Sequence, residues 1–374
     1  MKLVFASDSF KGTLTSEQTS ELLYKAAHEV IGECETISVN VADGGEGTID
    51  AVIKALNGTR RNVNVHDPLN NIIPSYYGRI DDTRAIIEMA PASGLTLIPE
   101  DKRNPRLASS YGTGELVRDA LLKGARDIII AIGGSATNDG GMGFARALGI
   151  EFYDKQGKML EGRGEDLINV YDINMTGLMT EAKAAHFTVM CDVTNPLCGS
   201  NGATYTYGRQ KGASDSDLEF LEKGMQNYRD MIIEKFGKNV DEIAGSGAAG
   251  GMGAALSIYL NAEMKSGIEA VLDVIGFDTM IKDADYIITG EGRADIQSTY
   301  GKVVSGIGKR GLKYGITVVA LCGSLGDGYE KLYDHGVKKI VSVSEGEDIS
   351  KVLESPAEYY YKCAVNLFID LFGK

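Results

Sequence analysis

Five segments of the chain place acidic, amide or basic side chains directly after an apolar run that is typical of a β-strand. In chain order they are DSFKG, ADGGEGT, GGSATNDGG, CDVTNPL and TGEGRADIQSTYGK. Open α/β sheets bind ligands at the carboxyl ends of their strands, so the position of these groups is informative. The five segments therefore predict one binding site assembled from loops that are far apart in the sequence.

The segment DSFKG follows the strand predicted over residues 3–6. Lys11 has the length and charge to contact a phosphate or a carboxylate, and Asp8 suits a metal ion or a reacting hydroxyl. Ser9 is a candidate for substrate binding. A capping loop with a solvent-facing lysine explains the same residues equally well, so this segment alone does not decide between the two interpretations.

The segment ADGGEGT is more specific, because two adjacent glycines allow the backbone to approach a ligand closely. A turn needs no more than DGG, so the acidic side chains require another explanation. We therefore expect Asp43, Gly44, Gly45 and Glu46 to bind the cofactor.

The segment GGSATNDGG lies between a strand predicted over residues 128–132 and a helix. Its small residues would aim free amides and the positive end of the helix dipole at an anion. It lacks the GK[ST] of a Walker A loop and the GxGxxG of a dinucleotide-binding loop. It therefore predicts phosphate binding without identifying the nucleotide, and the candidate residues are Gly133, Gly134, Ser135, Asn138 and Asp139.

The segment CDVTNPL ends another predicted strand, and Pro196 stiffens the loop that follows. Asp192 is a candidate magnesium ligand or proton-accepting base, and Asn195 is a candidate for substrate binding. An ordinary Asx-turn would contain the same residues, and this interpretation stays open.

The segment TGEGRADIQSTYGK carries more functional groups than a simple connection needs. Arg293 is suited to hold a substrate carboxylate through two parallel hydrogen bonds. Glu291 is a candidate metal ligand, Asp295 a candidate for substrate binding, and Lys302 a candidate for an anionic group of the cofactor.

The order of the predicted elements indicates two α/β domains, which a length of 374 residues also favours. Both ends of the chain alternate strands with helices, whereas residues 62–89 read as an antiparallel meander. The sequence predicts a doubly wound parallel sheet formed by residues 1–60 and 281–374. Residues 61–280 are predicted to form an inserted α/β domain with a mixed sheet.

Composition limits the classes of partner and the location. The formal charge of −14 repels nucleic acid and anionic lipid, and no apolar run reaches the roughly 18 residues of a membrane span. The five cysteines show no zinc-like spacing, and no secretory signal precedes the first strand. We therefore expect a cytoplasmic protein that binds neither nucleic acid nor membranes.

Six motifs, DSFKG, ADGGEGT, GTGE, IGGSATNDGG, CDVTNPL and TGEGR with a downstream GK, occur in this order and together resemble the bacterial class I glycerate kinases. The resemblance covers nearly all of residues 1–313. It implies phosphorylation of D-glycerate by ATP with Mg²⁺, usually at the 2-hydroxyl to give 2-phosphoglycerate. It also implies a flavodoxin-like domain, an inserted α/β domain and an active site in the cleft between them.

For this chemistry the residues are expected to divide into three roles. Asp192, or failing that Asp8, would accept the hydroxyl proton or bind metal, with Glu291 as a second metal ligand. Lys11, Arg293 or Lys302 would contact anionic groups, and the glycine segments would line the cleft.

Three alternatives remain at this level: a kinase of another small hydroxy acid, a non-catalytic small-molecule sensor on the same scaffold, and a dehydrogenase that uses NAD. The intact carboxylates count against the sensor, and the missing GxGxxG counts against the dehydrogenase. The sequence leaves open the enantiomer, the hydroxyl that reacts and the oligomeric state, for which a homodimer is one option.

Overall fold

The computed structural model describes residues 1–10, 12–41 and 48–373. The strands in this part of the chain are β1 (Lys2–Ser7), β2 (Glu35–Ser38), β3 (Thr59–His66), β4 (Ile72–Arg79), β5 (Arg84–Glu88), β6 (Asp127–Ala131), β7 (Glu151–Tyr153), β8 (Asp172–Asn174), β9 (His186–Met190), β10 (Glu263–Lys265), β11 (Tyr286–Gly290), β12 (Arg293–Ala294), β13 (Thr317–Cys322), β14 (Ser324–Leu325) and β15 (Val337–Ser342).

The α-helices of the described residues are α1 (Ser16–Ile31), α2 (Thr48–Ala55), α3 (Ala90–Ser93), α4 (Tyr111–Leu122), α5 (Met142–Ala147), α6 (Thr180–Ala184), α7 (Ala203–Tyr207), α8 (Asp215–Phe236), α9 (Ala248–Tyr259), α10 (Gly267–Val274), α11 (Phe277–Ile281), α12 (Val303–Tyr314), α13 (Ile349–Glu354) and α14 (Pro356–Phe372). Short 3₁₀ helices lie at Leu95–Leu97, Glu100–Lys102, Gly164–Asn169, Arg209–Lys211, Val240–Glu242, Ile296–Thr299 and Tyr329–His335. Within the described residues, no helix is both long and apolar enough to cross a membrane.

The chain divides into two compact units. The terminal unit comprises Met1–Asp43 and Gly267–Lys374, and the inserted unit comprises Gly44–Ser266. The domain boundaries predicted from the sequence were between residues 60 and 61 and between residues 280 and 281. Helix α2 packs against β4 and β5, and α10 contacts α12, so each helix belongs to a different unit from the one expected.

The terminal unit is built on a parallel sheet in the order β15-β13-β11-β1-β2. Numbered along this unit, the order is 2-1-3-4-5, which is that of the flavodoxin-like doubly wound sheets. The pairing of β1 with β11 joins Phe5 to Ile288, and both side chains are fully buried. The predicted parallel sheet formed by both chain ends is therefore confirmed.

The inserted unit contains a six-stranded sheet in the order β10-β9-β6-β5-β4-β3. Strands β3, β4 and β5 are antiparallel, whereas β5, β6, β9 and β10 are parallel. The apolar residues Ile128 and Ile130 of β6 are fully buried, as expected for a central parallel strand. The predicted mixed sheet is confirmed.

Capping residues determine where the longer helices start. Thr15 caps α1 by accepting a hydrogen bond from the amide of Gln18, whose side chain bonds back to the Thr15 amide. Ser214 caps α8 in the same way with Asp217, and Gly237 ends that helix in the left-handed conformation. Each boundary is therefore encoded locally.

Charged residues connect the helices on one side of the terminal unit. The guanidinium of Arg310 on α12 is 2.6 Å from carboxylate oxygens of Glu269, Asp273 and Asp278. Its side chain is only 10% exposed, and these carboxylates raise the pKa of Arg310 against the effect of burial. The arginine thus joins α10, α11 and α12.

We expect Arg310→Ala to lower the free energy of unfolding by about 3 kcal/mol, because Glu269, Asp273 and Asp278 lose the buried cation that they share. Urea denaturation would measure this loss. Lys313→Ala is the control: Lys313 also pairs with Asp278, but its side chain is 58% exposed. Its loss should cost less than about 1 kcal/mol. Equal effects of the two substitutions would contradict the assignment.

Candidate active site

Two of the predicted polar segments lie side by side in the terminal unit. Asp8 follows β1 and Glu291 follows β11, and the amide of Asp8 donates a hydrogen bond to the carbonyl of Gly290 at 2.8 Å. A side chain at position 290 would not fit, because a Cβ there would lie 2.0 Å from the carbonyl oxygen of Leu321. Strands β1 and β11 flank the point where the strand order reverses, which is where such sheets bind ligands.

A cavity of about 390 Å³ opens at this point of the terminal unit. Five of the residues singled out from the sequence are in its lining: Asp8, Ser9, Glu291, Arg293 and Lys302. They come from segments almost 300 positions apart in the chain. The structure therefore gathers part of the predicted site in one place.

Glu291 is a buried carboxyl group of this cavity. The residue is 6% exposed, and within the described residues its Oε1 has no hydrogen-bond partner. Burial raises the pKa of Glu291 to about 7, nearby Asp8 adds to the rise, and the charge of Lys302 opposes it. A buried carboxylate oxygen without a donor is ready to bind a proton or a cation.

Lys302 occupies the N-cap position of α12 and also lines the cavity. Among the residues that the structure describes, its ammonium group forms no ion pair within 4 Å. Helix N-termini attract anions through their free amides and dipole. Lys302 and the first turn of α12 therefore form a suitable site for a phosphate group.

Arg293 lines the cavity, and Asp295 lies next to this arginine. The Nε of Arg293 is 3.5 Å from Oδ2 of Asp295, and the arginine side chain is 68% exposed. Oδ1 of Asp295 accepts a hydrogen bond from the amide of Gln297 and so caps the short helix Ile296–Thr299. Asp295 thus orients the arginine and its loop, while the guanidinium remains accessible.

The glycine segment of the inserted unit follows β6, as predicted. Gly133 and Gly134 are exposed, and Gly134 adopts the left-handed conformation with a φ of 73°. Ser135, Asn138 and Asp139 are buried. Only the first part of the segment therefore presents backbone to solvent.

Asp139 is held inside the inserted unit by four hydrogen bonds. Its carboxylate accepts from the amide and hydroxyl of Ser110, both at 2.7 Å, and from the amides of Gly141 and Gly143, both at 3.2 Å. Burial raises the pKa of Asp139, and these donors oppose the rise. The sequence assigned Asp139 to the cofactor, but this geometry is that of a residue that fixes the loop.

Asn138 is also buried. Its side-chain amide donates to the hydroxyl of Thr204 at 3.1 Å, and its Oδ1 has no partner among the described residues. Asn138 therefore connects the glycine segment to α7.

Lys211 was missed by the sequence reasoning. It is fully buried, and its Nζ donates to Oγ of Ser135 at 2.9 Å and to the carbonyl of Thr137 at 2.6 Å. Burial lowers the pKa of Lys211 to about 7, and the charge of Asp139 works in the opposite direction. The surrounding sequence, GRQKGAS, resembles an exposed polar turn, so no local pattern could have identified this lysine.

Asp192 and Asn195 lie in the loop that follows β9. Asp192 is exposed. The side-chain amide of Asn195 donates to the carbonyl of Asn201 at 2.7 Å, and its Oδ1 accepts from the hydroxyl of Tyr207 at 2.7 Å. Asn195 therefore fixes the shape of the loop that carries the Asp192 carboxylate.

Five of the predicted site residues lie outside the described part of the chain. They are Lys11, Asp43, Gly44, Gly45 and Glu46. Their assignments stay predictions from the sequence.

Comparisons with known proteins agree with the recognised motifs. The glycerate kinase family model matches residues 3–371. A glycerate kinase of Halalkalibacterium halodurans is 42% identical over 342 residues, which cover 91% of this chain and 90% of that protein. The glycerate 2-kinase of Escherichia coli K12 is 43% identical over 344 residues, which cover 92% of this chain and 90% of that protein.

A solved structure shows the same fold. The crystal structure of a provisionally assigned glycerate kinase 2 from Salmonella typhimurium LT2 has a TM-score of 0.87 and 38% identity to this chain. The match covers 99% of this chain and 98% of that one.

The flavodoxin-like sheet, the polar cavity at its switch point and these matches define a phosphotransferase, a kinase for which ATP is the nucleotide substrate. More narrowly, the chain belongs to the glycerate kinase family. The predictions of the family, of the enzyme class and of glycerate phosphorylation are thereby confirmed.

We expect Asp139→Asn to lower the free energy of unfolding by about 2 to 4 kcal/mol, because an amide cannot accept from all four buried donors. Chemical denaturation would measure the change. Asp101→Asn, at an exposed position of the same unit, should change stability by less than about 0.5 kcal/mol. A stable Asp139→Asn protein that had lost activity would instead assign the carboxylate to ligand binding.

Glu291→Gln should stabilise the protein at pH 8 and change little at pH 5. The folded pKa is about 7 and the ordinary value 4.5, so the native state retains a proton that the unfolded state has lost. Stability of the wild type therefore falls as the pH rises through this interval, by up to about 3 kcal/mol.

Melting temperatures at both pH values, without metal or nucleotide, would measure the effect of Glu291→Gln. The control is Glu330→Gln, at an exposed position of the same unit, and it should change the melting temperature little. A pH-independent effect of Glu291→Gln would mean that the carboxyl group ionises normally.

Proposed function

We propose that this chain transfers the γ-phosphoryl group of ATP to the 2-hydroxyl of D-glycerate and releases 2-phosphoglycerate and ADP. The proposal depends on the cavity of the terminal unit, which is lined by Lys302 and by the carboxylates of Asp8 and Glu291. Among the described residues, Lys302 forms no ion pair. Phosphoryl transfer depends mainly on positioning and on neutralising charge, and this cavity offers groups for both.

The phosphates of ATP would bind at the N-terminus of α12. Lys302 supplies a positive charge there, and the first-turn amides supply donors. Because the whole protein carries a formal charge of −14, these local groups have to overcome a repulsive field.

The residues of the same cavity fit a Mg²⁺ ion. Within the described residues, no cluster of three or more His, Cys, Asp or Glu side chains could hold a metal. Mg²⁺ in kinase sites is usually bound by one or two carboxylates and by substrate phosphates, and Asp8 with the orphaned Oε1 of Glu291 matches this pattern. When bound, the ion would neutralise charge on the phosphates.

Arg293 is the candidate for the carboxylate of glycerate. A guanidinium binds a carboxylate through two parallel hydrogen bonds, and the Arg293 side chain is exposed at the cavity edge. Ser9, in the same lining, offers a hydroxyl to the substrate. Asp295 contributes by orienting Arg293.

Asp192 is the candidate general base. Its exposed carboxylate would accept the proton of the 2-hydroxyl as the oxygen attacks phosphorus, and Asn195 holds its loop in shape. Asp8 would then serve the metal rather than the proton.

We place the activity in the cytoplasm, where ATP is available and cysteines stay reduced. All five cysteines are free thiols in the structure.

The reaction is tested by a coupled assay for ADP release with D-glycerate, L-glycerate and related hydroxy acids, followed by phosphorus NMR of the product. We expect turnover with D-glycerate and the resonance of 2-phosphoglycerate. A 3-phosphoglycerate resonance would overturn the proposed position, and a faster reaction with another acid would overturn the proposed substrate.

The same assay tests the base. Asp192→Asn should lower kcat by about two to four orders of magnitude, as expected for the loss of a general base. Asp101→Asn, at another exposed position of the inserted unit, should leave kcat unchanged. Unchanged turnover of Asp192→Asn would remove this residue from the mechanism.

A further inference from the structure

The cavity of the terminal unit is larger and more apolar than glycerate requires. Glycerate has three carbons, each bonded to oxygen, and therefore offers no apolar surface. Besides the polar residues, the lining of the 390 Å³ cavity includes Phe10, Leu14, Val343, Val352 and Tyr360. Ligand sites of 300 to 1,000 Å³ with an apolar wall are typical of larger organic ligands.

An apolar stripe on the C-terminal helices forms one side of this cavity. Ile349, Val352 and Leu353 line it from α13, where their spacing of three and four residues places them on one helical face, and Pro356 lines it from the start of α14. Val352 is 7% exposed, but Ile349 is 56% exposed and Leu353 is 59% exposed. The side chains of Ile349 and Leu353 thus line the cavity while part of their apolar surface is exposed to solvent.

The part of the apolar lining around Phe10 and Tyr360 is closely packed. Phe10 and Tyr360 are buried and pack edge to face, with ring centroids 5.4 Å apart. The amide of Phe10 donates to the carbonyl of Leu14 at 2.8 Å, which fixes the turn that carries both residues. A ligand that enters here would lose little free energy in ordering this part of the lining.

We propose that this apolar part of the cavity binds the adenine base of ATP, between the stripe of α13 and α14 and the turn after β1. The inference rests on the proposed function, because it assumes that the polar part receives the phosphates at Lys302. The flat face of the aromatic base would cover Ile349 and Leu353, and one cavity would hold both the base and the phosphates.

Leu353→Ser tests the proposal, since the side chain is exposed and its loss should not disturb folding. Losing one apolar contact with the base should raise the KM for ATP about 10-fold and leave the KM for glycerate within twofold. Leu353→Met should restore the wild-type value. Leu312→Ser is the matched control, because Leu312 of α12 is also 59% exposed in the same unit but does not line the cavity.

Binding of inorganic tripolyphosphate with Mg²⁺, measured by calorimetry on the full chain, separates the base from the phosphates. Leu353→Ser should weaken the binding of ATP but not of tripolyphosphate, whereas Lys302→Met should weaken the binding of both. An unchanged KM for ATP in an active Leu353→Ser enzyme, or a raised KM for glycerate instead, would overturn the base site alone. If the wild-type protein did not phosphorylate glycerate, the proposed function would be overturned. The comparison of ATP binding with tripolyphosphate binding would still test the base site in that case.

Discussion

The parallel pairing of β1 with β11 is the contact on which the terminal unit depends. It joins residues about 283 positions apart, and the hydroxyl of Thr289 reinforces it by donating to the carbonyl of Ala6 at 2.7 Å. Because both strands are central and end at the same edge of the sheet, the residues after them must meet there. Asp8 and Glu291 are neighbours for this reason alone, although the whole inserted unit separates them in the chain.

The cavity at that edge combines two environments. One part has carboxylates, a lysine and a helix N-terminus, and the other has buried aromatic and aliphatic side chains. An acidic protein cannot attract nucleotides through its overall field, so attraction must come from a few local groups. Burial makes those groups effective, since the same desolvation that raises the pKa of Glu291 would strengthen its attraction for a cation.

Much of this organisation could be predicted from sequence because it depends on local patterns. Apolar runs followed by polar loops predicted strands β1, β6, β9 and β11, and the alternation at both chain ends predicted the shared parallel sheet. The capping box of Thr15 and Gln18, which sets the start of α1, is also a local feature. The prediction of glycerate phosphorylation needed more, namely six motifs in a specific order.

The individual roles inside the glycine segment could not be predicted in this way. Asp139 has the residue type of a ligand-binding group, but four donors from its own unit occupy it. Lys211 supports the segment from a turn about 75 positions away, and nothing in its neighbours indicates that it is buried. Whether a polar side chain faces a ligand or the interior depends on tertiary packing, which sequence spacing does not record. The long interval between β1 and β11 also has a consequence for biosynthesis. At about 5 to 20 residues per second, roughly 15 to 60 s separate the two strands on the ribosome, so the first strand must wait without its partner while the inserted unit is made.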